Sequence, residues 1–163
     1  MTSIIDYVRS ATTPLRSDLS PADALALACL TYVDCHALPG PRSTHGCLLR
    51  DVAQASSIPA LFRHSSVTHS DRALLEAVGA SPRFCGVRVR DAVTRIGVQP
   101  LAQFGALTFV DEAGARFVVF RGTDTTAVGW AEDTRFGLEF PTIAQRWAAR
   151  YLDYAAGRGG GPL

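Results

Sequence analysis

Two segments that are apolar on both faces constrain this chain most. Phe104-Gly105-Ala106-Leu107-Thr108-Phe109-Val110 and Phe117-Val118-Val119-Phe120 lack the polar alternation of a half-wet strand, so both read as adjacent buried strands of a covered sheet. Asp111-Glu112-Ala113-Gly114 between them reads as a hairpin loop, with Gly114 supplying a positive φ. Upstream, Val87 and Val89 alternate with Arg88 and Arg90, which predicts a short strand with one wet face. A covered sheet needs helices with apolar faces to lie on it.

The helices are signalled mostly in the first half. Ser20-Pro21-Ala22-Asp23 opens one, with Ser as N-cap, Pro in the first turn and an acid near the positive end of the dipole. Leu25, Ala28, Cys29 and Tyr32, widened by Leu27 and Leu30, give it a largely buried stripe that should stop before Pro39-Gly40-Pro41. A second helix is predicted over Leu48–Ala55, through Leu48, Leu49 and Val52. A third is predicted over Asp71–Val78, capped by Ser70 and ended by Gly79. Pro141-Thr142 opens the last helix, with Ala144, Trp147, Ala148, Tyr151, Leu152 and Ala155 on one face and Gly157 as its stop.

At 163 residues and 47% apolar content the chain supports one folded domain. All 16 basic residues are arginine, scattered among 15 acids for a net charge of +1, so no groove for nucleic acid is expected. No run of apolar residues is long enough to span a membrane. Met1-Thr2-Ser3-Ile4-Ile5-Asp6 has no basic segment before an apolar one, so no secretory leader is expected and the location expected is cytoplasmic. Cys29, Cys35, Cys47 and Cys85 then read as reduced, mostly buried thiols. Cys35-His36 and His45-Gly46-Cys47 supply four possible zinc ligands, but their spacing fits no common zinc frame. Neither a metal nor another cofactor is expected.

Chemistry concentrates where the second buried strand ends. Val118-Val119-Phe120 runs directly into Arg121-Gly122-Thr123-Asp124, which puts those residues at the C-terminal end of a strand, the edge on which open α/β sheets build their sites. Gly122 would let the backbone turn sharply, and Thr123 could then offer both N–H and hydroxyl to a developing oxyanion. Two readings of Thr123 stand side by side: a transition-state donor, or an exposed loop threonine. Arg121 and Asp124 either pair across the turn or are both solvated.

Phe120-Arg121-Gly122-Thr123, followed by Trp130 and Asp133, resembles the oxyanion-loop region of class 3 lipases, and more closely that of a bacterial lipase-like group, the Mbeg-like family. Ile4-Ile5-Asp6-Tyr7-Val8, Asp23-Ala24-Leu25 through Leu30-Thr31-Tyr32, Ser81-Pro82-Arg83-Phe84 and Gln103 to Phe109 are similar to the same pattern in the same order. The resemblance implies an α/β-hydrolase fold, an ester or lipid substrate for the intact family member, Thr123 in the oxyanion hole, and Asp133 buttressing the loop beside Arg121, Gly122, Asp124 and Trp130. Trp130 and Trp147 read as packing anchors.

The departure from that family is the missing nucleophile. No Gly-x-Ser-x-Gly elbow occurs in the chain: Gly79-Ala80-Ser81 is followed by Pro82-Arg83, and Ser43-Thr44-His45 is a loop tripeptide whose adjacent side chains diverge. His36, His45, His64 and His69 all precede the sheet region and read as solvated loop residues. The expected class is therefore α/β: the N-terminal part of an α/β-hydrolase-like fold, with a helical first half, then a short covered sheet, incomplete before the nucleophile elbow. It would form one partial domain over 1–163, mostly helical over 1–80, with the sheet and oxyanion loop over 84–156. The tail over 157–163, Gly157-Arg158-Gly159-Gly160-Gly161-Pro162-Leu163, reads as a loop cut short before a further parallel strand. As function we expect an N-terminal fragment of a lipase- or esterase-like serine hydrolase, inactive alone. The alternative is a non-catalytic interaction module that self-associates or docks with a polypeptide supplying the missing strands.

Overall fold

The computed structural model describes residues 3–35, 38, 46–63, 65–98, 101–122, 134 and 138–158. The first two helices, α1 (Ile4–Ser10) and α2 (Pro21–Cys29), start with the same device, a capping box. Ser3 pairs with Asp6 and Ser20 with Asp23, each serine oxygen accepting from the acid's N–H while the acid accepts from the serine's. In α2 the box also aims Asp23 inward. The buried face is Asp23, Ala26, Leu27 and, one turn on, Leu30, whereas Leu25 is 53% exposed. The expected stripe was therefore rotated, because the buried face starts from a carboxylate that a hydrophobicity pattern does not count. A 3₁₀ turn, Leu30–Tyr32, continues α2.

Two further helices, α3 (Leu49–Gln54) and α4 (Thr68–Ala80), pack against each other, and α4 also against α1. The prediction for α3 holds within a residue at each end. For α4 it fails at both ends. Ser70 lies inside the first turn after Val67, and Gly79 lies inside the helix instead of ending it. A Cβ on Gly79 would sit 2.2 Å from the Ala53 Cβ, so this glycine serves the close approach of two helices.

The sheet is a meander, β1 (Cys47–Leu48), β2 (Arg88–Val98), β3 (Leu101–Val110) and β4 (Arg116–Phe120), in that spatial order with every pairing antiparallel. The parallel succession expected from a strand–helix–strand chain is not what the described strands form. Connections as short as Asp111–Ala115 can join only antiparallel neighbours. That loop is the predicted hairpin: Gly114 has φ +87°, and the Asp111 carboxylate accepts from the Ala115 N–H at 2.8 Å. β2 is far longer than the predicted short strand. Arg90 faces Thr108 but Val93 faces Ala106, so Asp91 and Ala92 together oppose Leu107 in a β-bulge, with Asp91 at φ 54°. The bulge interrupts the alternation by which the strand would have been recognised.

Both faces of the sheet are covered. Val89, Ala92, Leu107 and Phe109, joined by Phe117 and Val119, pack with α1–α4 in the larger core. Phe104 and Ala106, joined by Val93, Val118 and Phe120, pack against the last helix, α5 (Ile143–Ala155), through Ala144, Trp147, Ala148, Tyr151 and Ala155. Thr142 caps α5 in a third box, with Gln145, and Gly157 at φ +74° follows it, as predicted; Leu152 is nonetheless 44% exposed. Tyr151 is fully buried. Its hydroxyl donates to the Asp91 carbonyl oxygen at 2.9 Å and pairs with the Thr108 hydroxyl at 2.8 Å, while the Tyr154 hydroxyl donates to the Asp91 carboxylate at 3.1 Å. No helix among the described residues is long and apolar enough to cross a membrane.

A buried ion pair ties the helical layer to the turn after α4. The Asp23 carboxylate, wholly buried, accepts from Arg83 Nε and Nη2, both at 2.6 Å, and from the Tyr7 hydroxyl at 2.8 Å; Arg83 Nη1 donates to the Thr13 carbonyl oxygen at 3.0 Å. Burial alone would raise the Asp23 pKa, but the bonds from Arg83, Ser20 and Tyr7 outweigh it and hold the carboxyl well below the usual range. With the folded pKa depressed, the stabilisation is present above the unfolded value of about 3.9 and is lost as pH falls below it. Asp23→Asn should cost about 3 kcal/mol near neutral pH and flatten the acid limb of stability, measured by urea melts across that range. Gly79→Ala should destabilise by about 1–2 kcal/mol despite its better helix propensity, and Ala53→Gly in the same chain should restore most of it, checked by thermal unfolding of both variants.

Candidate functional site

The candidate site is built at the end of β4. The Arg121 N–H donates to the Gly105 carbonyl oxygen at 2.8 Å, so the β3–β4 ladder continues one residue beyond the strand. Side chains alternate along it: Phe120 joins the α5 face, and Arg121 therefore falls on the face that bears α1–α4, with Val119. Gly105 lies opposite. A Cβ there would come within 2.9 Å of the Arg121 Cβ, 3.0 Å of its Nε and 3.1 Å of its Cζ, so the guanidinium lies across β3 in the space Gly105 leaves.

Gly122 is exposed, and its φ is not left-handed. The sharp turn expected of it is therefore not made through the conformation that favours glycine. Its bare Cα faces another group instead: a Cβ there would stand 3.4 Å from the Tyr32 hydroxyl oxygen. Tyr32 ends the 3₁₀ turn after α2, which packs against β3. Buried Leu30, Thr31, Val33, Asp34 and Cys35 fix that segment on either side of it. The Thr31 hydroxyl donates to the Ala28 carbonyl oxygen at 2.6 Å and the Asp34 N–H to the Leu61 carbonyl oxygen at 2.6 Å, while the Asp34 carboxylate is ion-paired with Arg63.

Of the residues singled out in the sequence, the structure brings Arg121 and Gly122 to this margin; Thr123, Asp124, Trp130 and Asp133 lie outside the described residues. Tyr32 was read only as one member of an apolar helical stripe. Nothing in local sequence marks it, because its place beside Gly122 follows from how α2 lies on the sheet.

Other nucleophile and ligand candidates fall away from this margin. Ser81 is buried, its hydroxyl donating to the Ala11 carbonyl oxygen at 3.2 Å and accepting from the Arg83 N–H at 3.3 Å, which makes it a turn residue. His69 is exposed on α4; His36, His45 and His64 lie outside the described residues, as does Ser43-Thr44-His45. None of the four cysteines is in a disulfide. Burial, with a smaller effect of Asp34, pushes the Cys35 thiol up to about 12, and burial raises Cys29 and Cys47 as well, so these thiols are protonated and unreactive near neutral pH. Among the described residues no group of three or more His, Cys, Asp or Glu is placed to hold a metal.

Together these features define a mixed helix-and-sheet domain, with an antiparallel meander covered on both faces and an Arg-Gly strand end at its margin. The chain belongs to the family described as Mbeg1-like, which matches residues 78–160, from the last turn of α4 through β2, β3 and β4 to just beyond α5. The similar segments Ser81–Phe84, Gln103–Phe109 and Phe120–Asp133 fall inside that span, whereas Ile4–Val8 and Asp23–Tyr32 fall outside it. No curated protein and no solved structure matches the chain.

Proposed function

We propose that this chain carries the oxyanion-binding side of a lipase-related serine hydrolase acting on an ester or lipid, with Thr123 as transition-state donor and Arg121, Gly122, Asp124, Trp130 and Asp133 as its supporting loop. One observation carries the reading. A strand held in the ladder through Arg121 delivers Gly122 to an exposed margin, immediately before Thr123. A donor for developing negative charge must be fixed before the reaction, and a ladder-locked strand fixes the residue that precedes it. An antiparallel meander is not the parallel sheet of an α/β-hydrolase, so the relation rests on the residues at the end of β4 and not on strand order.

The chain contains no Gly-x-Ser-x-Gly segment, Ser81 is buried, and burial raises the thiols of Cys29, Cys35 and Cys47. A hydroxyl at its ordinary pKa, without a positioned base, attacks an ester carbonyl too slowly for catalysis. The isolated chain should therefore hydrolyse neither short- nor long-chain p-nitrophenyl esters above the buffer rate. Turnover that a serine-reactive phosphonate abolishes would overturn the reading.

A second reading, a module that pairs with another chain, is favoured by the position of β4 as the last strand in the sheet order. With Arg121 bonded inward to β3, alternation turns the N–H groups of Val118 and Phe120 outward. On this reading light scattering should show a dimer that Val118→Pro dissolves while leaving the β3–β4 ladder intact; a monodisperse monomer at every concentration would count against it.

A further inference from the structure

We infer that the sheet carries a separate binding site at the start of β4, where Arg88, Arg90 and Arg116 take up a phosphate group. The inference does not depend on the hydrolase reading, which concerns the other end of that strand. Register brings the three arginines together. Arg88 and Arg116 pair with Val110 from its two sides, and Arg90 lies two residues from Arg88, opposite Thr108. Thr108 meets Tyr151 of α5, and Val118, two residues from Arg116, packs on the same helix. By strand alternation all three arginines therefore rise from the α5 face, with Arg88 and Arg116 about 10 Å apart at Cα. The end of α5 borders them: Arg116 Nη1 donates to the Ala155 carbonyl oxygen at 2.7 Å. Burial and the neighbouring Asp91 raise the Tyr154 hydroxyl, while Arg90 and Arg116 both act on it in the opposite sense, so two of the cations stand near one hydroxyl.

The fold leaves donors on these cations unused. Arg88 is exposed and makes no hydrogen bond or ion pair among the described residues. Arg116, also exposed, donates through one nitrogen to Ala155. Arg90 is laid across Gly46, where a Cβ would come within 2.5 Å of its Cγ, and its Nε is buried without a hydrogen bond. The Asp91 carboxylate stands 4.0 Å from that nitrogen and already accepts from the Tyr154 hydroxyl. A buried donor without an acceptor is costly, and an anion at this corner removes the cost. Asp51 and Asp153 are paired with arginines of their own, Arg50 and Arg158. Three guanidinium charges against the one Asp91 carboxylate leave a positive surplus of two. A phosphate monoester carries about two negative charges near neutral pH and offers three acceptor oxygens, which guanidinium forks engage in pairs. A carboxylate brings only one charge, so the surplus favours phosphate.

Inorganic phosphate is the probe. Titrated into the ¹⁵N-labelled full chain at constant ionic strength, it should shift the Arg88, Val110 and Arg116 amides saturably and leave the Gly122 amide in place. Arg88→Gln should weaken binding by roughly tenfold, the loss expected for one hydrogen bond to a charged group, with the melting temperature unchanged. Arg150→Gln, which removes an equal charge from an exposed position on α5, should bind as the wild type does. Flotation with phosphatidylcholine vesicles containing phosphatidic acid separates two sources of the group. Binding of free phosphate identifies a soluble phosphomonoester; binding to those vesicles alone, weakened in the same way by Arg88→Gln, identifies a lipid headgroup. Absence of saturable binding in both arms overturns the proposal. So does an Arg88→Gln variant that binds like the wild type, or an equal loss in Arg150→Gln, which would mark general charge attraction.

Discussion

The contact between Tyr151 and the bulge in β2 sets the geometry on which the rest of the sheet depends. Before the bulge Val89 faces α1–α4; after it Val93 faces α5, because the extra residue reverses the side-chain parity of the strand. A bulge leaves backbone groups outside the ladder, and a buried carbonyl without a partner costs about 1–3 kcal/mol. The Tyr151 hydroxyl meets the Asp91 carbonyl oxygen, and Thr108, on the opposing strand, meets the same hydroxyl. One phenol therefore joins helix, bulge and central strand. Around it Phe104, Phe120 and Trp147 pack with ring centres 6.0 to 6.5 Å apart, so α5 is seated on β3 and β4 together. The end of β4 inherits its position from that seating.

On the other face, order comes from buried charge as well as from apolar packing. Asp23 and Asp34 stand at the two ends of the α2 segment, each buried and each paired with an arginine from later in the chain. A buried pair adds little net stability over apolar residues of the same volume, but it penalises any arrangement in which one partner is left alone. Arg83 fixes where α2 begins relative to the turn after α4, and Arg63 fixes where the segment after Tyr32 leaves it. Between those two points the 3₁₀ turn has little freedom to move along the sheet.

What the sequence made legible follows the range of the forces involved. Capping at Ser20, the helix start at Pro141-Thr142, the Asp111–Gly114 turn and the two-faced strands were readable because each depends on neighbours within a few residues. The direction in which α2 turns its buried face was not, because it is decided by Arg83, sixty residues away. Gly79 was misread for a similar reason: glycine near the end of an apolar run signals a stop unless another helix needs the space, and here Ala53 does. The length of β2 was hidden by Asp91, whose left-handed backbone breaks the period that marks a strand. Antiparallel pairing of the two buried strands was legible in that hairpin loop, whereas the parallel sheet implied by the hydrolase resemblance is not what the described strands form.

The same distinction applies to the site. Arg121-Gly122-Thr123 stands out in the sequence because it is contiguous, and of the three Arg121 and Gly122 are described residues. Their surroundings come from residues that no local pattern connects: Gly105 on the neighbouring strand and Tyr32 at the end of a helix ninety residues earlier. A site that stabilises charge works by preorganisation, in which its donors are held in place by structure unrelated to the ligand. At this margin the sheet ladder holds one side and the buried segment after α2 holds the other. Neither depends on the group that attacks the carbonyl. On the proposed reading, therefore, anion binding and turnover at the end of β4 are separate physical questions.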